Sequence, residues 1–171
     1  MPRAQRQQVD QTNIAVRAAD LNWARIAAEL DSQGCATTGP LLSAAECADL
    51  AATYDRDPLY RSRVVMARHG FGKGEYRYFA YPLPDAVAAL RAACYPPLAA
   101  IANRWNAALG ETIRFPDRLE TFLARGHKAG QRKPTPLILR YGAGDYNCLH
   151  QDLYGEQVFP LQLAILLSAP G

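Results

Sequence analysis

Two hydrophobic periods alternate along this chain, and glycine and proline mark where one gives way to the other. From Ile14 to Leu30 the apolar positions Ile14, Ala18, Leu21, Ala24, Ile26, Ala28 and Leu30 approximate a helical stripe, which Gly34 stops. Ser43-Ala-Ala-Glu46 has the spacing of a capping box, in which hydroxyl and carboxylate satisfy reciprocal orphan amides, and it opens a helix over 44–54. An Ala- and Leu-rich pattern predicts helix again over 84–109, with a break at Pro96-Pro97 because the residue before a proline avoids the helical region. A short helix follows over 117–125.

The intervening stretches read as extended. Val64 and Val65 precede Gly70-Phe-Gly-Lys-Gly74, and Tyr76, Tyr78 and Phe79 follow it, so 61–81 is predicted to be a hairpin whose glycines supply turn flexibility. These glycines are not a phosphate loop, since no Walker lysine-serine pair accompanies them. After Pro136 the pattern is β-rich to 168: Leu137 to Tyr141, a Gly142-Ala-Gly144 turn, Tyr146 to Leu149, and Leu161 to Leu167. A helical first part followed by sheet makes the expected fold class α+β.

At 171 residues and 49% hydrophobic, the chain has material for one core, and residues 13–171 read as a single domain after a polar, mobile arm at 1–12. No apolar run approaches the roughly 18 residues of a membrane span. Residues 1–20 are polar and basic rather than signal-like, so the expected location is the cytoplasm. Cys35, Cys47, Cys94 and Cys148 form no C-x-x-C pair, which argues against a zinc ribbon or a disulfide scaffold. The net charge of +3 is compatible with a polyanionic partner without requiring one.

His150-Gln-Asp152 stands at the end of a predicted strand. Residues two apart in an extended chain share a face at roughly 7 Å, so an imidazole and a carboxylate converge there. These donors are two of the types in the 2-His-1-carboxylate triad of non-haem Fe(II) oxygenases. A hydrogen-bonded His–Asp pair is the alternative on spacing alone.

The surrounding Arg140-Tyr-Gly-Ala-Gly-Asp-Tyr-Asn-Cys-Leu-His-Gln-Asp152 resembles the R-Y-x-x-G-x-x-x-x-L-H-Q-D signature of Fe(II)- and 2-oxoglutarate-dependent dioxygenases of the AlkB type. Leu41 to Glu46, Val64 to Pro84 and Tyr154 to Gln162 are similar to a bacterial oxygenase family assigned to oxidative removal of alkyl damage from DNA. The resemblance implies a double-stranded β-helix, or jelly roll, behind the helices. It implies His150 and Asp152 as catalytic iron ligands, Tyr141 as hydroxyl donor to 2-oxoglutarate, and Fe(II), 2-oxoglutarate and O2 as the chemical requirements. Beyond Asp152 there is no His, Lys or Arg, and His69 and His127 lie upstream. The expectation is therefore a jelly roll incomplete at its C-terminus, with the third iron ligand and the arginine for the cosubstrate's far carboxylate outside this sequence.

Alkylated DNA or RNA is the partner that the resemblance implies, with no membrane involved. In 61–81, Arg68, Lys73 and Arg77 are candidate phosphate contacts, and Phe71, Tyr76 and Tyr78 are candidate stacking platforms. A hairpin with an aromatic face in the core and a basic face in water has the same alternation. Tyr146 and Asn147 are candidate substrate contacts, and Phe159 and Gln162 line either pocket or core. The leading function is oxidative dealkylation of damaged bases. A prolyl or small-molecule hydroxylase keeps the same fold and cofactors, and a non-catalytic fragment with an incomplete metal site is the third reading.

Overall fold

Residues 14–150 and 158–168 are described by the computed structural model of the chain. Five helices, α1 (residues 14–19), α2 (Trp23–Gln33), α3 (Ala44–Ala51), α4 (Asp85–Ala108) and α5 (Leu119–Lys128), accompany five short strands. The strands are β1 (Tyr60–Val65), β2 (Gly72–Lys73), β3 (Glu75–Phe79), β4 (Leu137–Arg140) and β5 (Tyr146–Asn147). The fold class is α+β. The expected arm at 1–12 lies outside the described residues.

The stripe read as one helix over 14–30 is two helices. Asn22 interrupts it because its side-chain oxygen accepts the amide of Arg25 at 2.9 Å and so starts α2 afresh. Gly34 then closes α2 at φ +73°, its amide donating to Leu30 O at 3.0 Å. At α3 the capping box forms: Glu46 N donates to Ser43 Oγ at 3.2 Å, and Ser43 N donates to Glu46 Oε2 at 2.6 Å. Arg17 of α1 reaches the same carboxylate at 2.8 Å, which ties α1 to the start of α3.

The break expected at Pro96-Pro97 does not occur, and α4 runs unbroken through both prolines. The prolines remove two amide donors, but their neighbours are held by packing. Tyr95 is buried, stacks with Phe122 at 5.4 Å and donates its hydroxyl to Pro116 O at 2.8 Å. Cys94, Ala99 and Ala102 are also buried, so three core clusters meet along this helix: one around Ile14, Leu41 and Leu90, an aromatic one around Phe115, and one joining Tyr54, Phe79 and Ile138 to Val87.

The expected hairpin over 61–81 is present as the antiparallel β1–β3 pair, and β4 adds to the other edge of β3. The glycine-rich connection is itself partly strand: β2 pairs with β5 in a second, two-stranded sheet, with Gly72 opposite Asn147 and Lys73 opposite Tyr146. Leu161 to Leu167, expected as a strand, has no regular secondary structure. It packs instead as an irregular strap, Leu161 on the aromatic cluster and Ile165 and Leu167 on the first core. The described strands form these two small sheets and no closed barrel, and they do not establish the expected jelly roll.

Phe79 is 1% exposed, stacks on Tyr60 at 4.9 Å and anchors the sheet to α4. Phe79→Ala is expected to lower unfolding free energy by about 3–5 kcal/mol in urea titrations.

Candidate functional site

The signature stretch begins on β4 and ends past β5. Arg140 is the last residue of β4, and Tyr141 leads into a turn closed by Asp145, whose amide donates to Gly142 O at 3.1 Å while its carboxylate accepts the Gly142 amide at 2.8 Å. Lys73 of β2 lies 3.4 Å from that carboxylate. Beyond β5 the Cys148 amide donates to Phe71 O at 2.9 Å, extending the contact between the two short strands. His150 Nδ1 lies 2.9 Å from Cys148 O. A carbonyl only accepts, so Nδ1 is the donor in this contact. Asp152, its expected co-ligand, lies outside the described residues.

Tyr141 is half exposed, and burial, assisted by the Asp145 carboxylate, raises its phenol above the ordinary value. It therefore stays a protonated donor at neutral pH, as its expected role requires. Its ring rests against Gly74, where a Cβ would stand 2.7 Å from Cδ1.

On the sheet the expected cationic platform is largely an internal ion-pair network. Arg77 is 8% exposed, pairs with Asp57 at 2.5 Å and lies over the rings of Tyr54 and Tyr60 at 4.9 and 5.5 Å. Alternation along β3 explains this, because Glu75, Arg77 and Phe79 share the face that meets Tyr54, whereas Tyr76 and Tyr78 occupy the other. Arg77 is thus a structural cation and not an accessible phosphate contact. Tyr78 is covered by the Arg61 guanidinium at 4.2 Å and meets Tyr76 edge-on at 5.5 Å, so the two rings are partners within the sheet.

Glu75 accepts from Arg63 at 2.8 Å and from Arg140 at 2.5 Å. Burial opposes its charge, but these hydrogen bonds outweigh burial and hold the carboxyl below its ordinary value. The opposite balance holds for Tyr54, where burial first and then the neighbouring Glu75 carboxylate, as hydrogen-bond acceptor and as charge, push the phenol up to about 12.

Exposed functional groups collect instead at the loop end, around β2 and β5. Arg68 and Lys73 are exposed, Phe71 is 44% exposed and stacked with His69 at 5.3 Å, and Tyr146 is 59% exposed. Asn147, also exposed, pairs with Gly72 through the backbone ladder. The structure brings Phe71, Lys73, Tyr146 and Asn147 together and leaves Arg77 apart in the core. Phe159 is a member of the aromatic cluster, and Gln162 lines a cavity of about 70 Å³ beside Trp23, Cys94 and Leu98. Among the described residues no group of three His, Cys, Asp or Glu side chains is arranged to hold a metal ion.

Sequence reasoning missed Tyr54, Asp57 and Glu75 as partners of the arginines. The alternation of Glu75 with Arg77 on one strand face was the available signal.

Comparison with known proteins places these features in a class. Residues 74–171 match the family described as oxygenases catalysing oxidative methylation of damaged DNA, and the chain belongs to that family. It is also 51% identical over 92 residues to two uncharacterised proteins of Mycobacterium tuberculosis, from strains CDC 1551 / Oshkosh and H37Rv. The match covers 54% of this chain, which thus spans only about 40% of the length of those relatives. No solved structure matches it significantly. No helix among the described residues is long and apolar enough to cross a membrane.

Because the folded-state pKa of Glu75 is depressed, its contribution to stability is complete above the ordinary value of 4.5 and disappears as pH falls through the lower folded value. Glu75→Gln is expected to lose about 1–3 kcal/mol at pH 7 and to show less acid-dependent loss below pH 4.5 than the parent, read by chemical unfolding across pH.

Proposed function

We propose that this chain is part of an Fe(II)- and 2-oxoglutarate-dependent dioxygenase of the AlkB type that removes alkyl groups oxidatively from nucleic-acid bases in the cytoplasm. The observation that carries the proposal is His150. Contact of Nδ1 with a backbone carbonyl is the kind of bond that orients a metal-ligating imidazole, so the residue fits the group the family resemblance calls for.

In this reading His150 and Asp152 would hold the iron, and Tyr141 would donate its hydroxyl to 2-oxoglutarate. Bound there, the metal with 2-oxoglutarate and O2 supplies the oxidising power to hydroxylate an N-alkyl carbon, which then leaves the base as an aldehyde. The chain's own contribution is orientation. Tyr141 keeps its proton, Phe71 and Tyr146 offer flat faces, Arg68 offers positive charge, and Lys73 adds a charge that it shares with Asp145. The third iron ligand and the cation for the far carboxylate are proposed to come from parts of the protein outside this sequence. Pairing of Arg63, Arg77 and Arg140 within the sheet favours, as a second reading, a prolyl or small-molecule hydroxylase that needs no extended phosphate footprint.

In the full-length protein, His150→Ala or Asp152→Ala is expected to abolish iron-dependent consumption of 2-oxoglutarate while circular dichroism stays near that of the parent. Ordinary turnover by either variant removes that residue from the iron site.

The substrate test is binding of N-methylated single-stranded oligonucleotides over a salt series. Arg68→Ala and Lys73→Ala should each reduce the log–log salt slope by about 0.7, whereas Phe71→Ala should cost about 1–3 kcal/mol with the slope unchanged. Binding that ignores salt, or none, supports the hydroxylase alternative.

A further inference from the structure

Two glycines of the β1–β3 connection do more than permit a turn. Gly72 has φ +119°, and a Cβ placed on it would lie 2.3 Å from Tyr146 O and 3.1 Å from both Asn147 Cα and Cys148 N. All three of those atoms belong to backbone, so nothing flexible can yield and β5 itself would have to move. Gly74 has φ +125°, and a Cβ there would meet the Tyr141 ring at 2.7 and 2.9 Å and Arg140 O at 3.3 Å. Its carbonyl is fixed in turn by the Met66 amide at 3.0 Å.

These contacts lead directly to the two site residues. Gly72 faces Asn147, the Phe71 carbonyl next to it accepts the Cys148 amide, and the Cys148 carbonyl accepts His150 Nδ1. The position of the imidazole is thus two hydrogen bonds removed from the 71–72 backbone. Tyr141 is seated on the Gly74 backbone without an intermediary.

We infer that Gly72 and Gly74 are positioning residues for the proposed iron and 2-oxoglutarate site, Gly72 setting His150 through β5 and Gly74 setting the Tyr141 hydroxyl. The inference rests on the proposed oxygenase reading. It assigns separable roles: displacement at 72 acts on the metal ligand, and displacement at 74 acts on the cosubstrate donor. Gly70 supplies the internal control, because it has a positive φ of +71° in the same loop but nothing within 4 Å of its would-be Cβ.

The experiment uses the full-length protein, with Co(II) alone as a spectroscopic metal probe and 2-oxoglutarate as the second ligand. Gly72→Ala is expected to weaken Co(II) binding by about tenfold or more. Gly74→Ala should leave Co(II) binding within about twofold and raise half-saturating 2-oxoglutarate by about tenfold, the equivalent of one lost hydrogen bond. Gly70→Ala should change neither ligand, although it carries left-handed strain of its own. If Gly72→Ala does not fold, hydrogen exchange on the parent decides: the Cys148 amide must be protected like a strand amide although its side chain is exposed, and exchange at a free-loop rate overturns the role of Gly72. A parent protein that binds neither Co(II) nor 2-oxoglutarate sinks the oxygenase reading and this inference with it. A parent that binds both, with all three variants alike, sinks the inference alone.

Discussion

The carboxylate of Glu75 is the joint on which the sheet and the site loop depend. It sits on the central strand and accepts from Arg63 of β1 and Arg140 of β4, so one side chain fixes both neighbouring strands against it. Opposed rows of arginine would repel. With Arg63 beside Arg77 in the β1–β3 register and Arg140 on the far edge, like charges crowd one face, and Glu75, Asp55 and Asp57 neutralise them. The rings of Tyr54 and Tyr60 complete the layer by lying against the guanidinium planes, which also binds the end of α3 to the sheet. Arg140 immediately precedes Tyr141, so the clamp on Glu75 determines where β4 stops and the signature loop departs.

Local chemistry was legible in the sequence at most places where a structural decision is local, the Asn22 cap that divides the first stripe being the exception. Ser43 and Glu46 are three residues apart and form the box that their types announce, and the Val64–Val65 and Tyr76–Phe79 runs pair as expected. Decisions made at a distance were not legible. A proline pair reads as a helix break until burial of Tyr95, Ala99 and Ala102 outweighs two missing amide bonds. Leu161 to Leu167 reads as a strand because its apolar residues are dense, yet separate parts of it pack on three different cores without a partner strand among the described residues. Period and composition report how much a segment buries, and they do not report against what.

The same limit separates what could be read of the site from what could not. The signature from Arg140 to Asp152 is contiguous, so its candidate donors were visible as residues in a row. The fate of the arginines was not, because their counter-ions are 20, 65 and 85 positions away in the pairs Arg77–Asp57, Arg140–Glu75 and Arg140–Asp55. Gly72 and Gly74 were legible as a flexible loop and illegible as contact surfaces, since the atoms that exclude a Cβ belong to Tyr141, Tyr146, Asn147 and Cys148, about 70 residues further on.

Pairing of the sheet arginines with carboxylates has a consequence for how a damaged base could be selected in the proposed reading. Each phosphate contact adds about 0.7–0.9 to the salt slope and strengthens binding to any strand, damaged or intact. With Arg63, Arg77 and Arg140 held by carboxylates and Lys73 paired with Asp145, this face would offer few such contacts among the described residues and so would gain little affinity that is blind to the lesion. On that proposal, stacking on Phe71 or Tyr146 would cost less unpairing for a base already weakened by alkylation than for an intact one, and discrimination would reside in that difference. A strongly basic platform would obscure that difference, whereas arginines paired within the sheet beside a small aromatic ledge would preserve it.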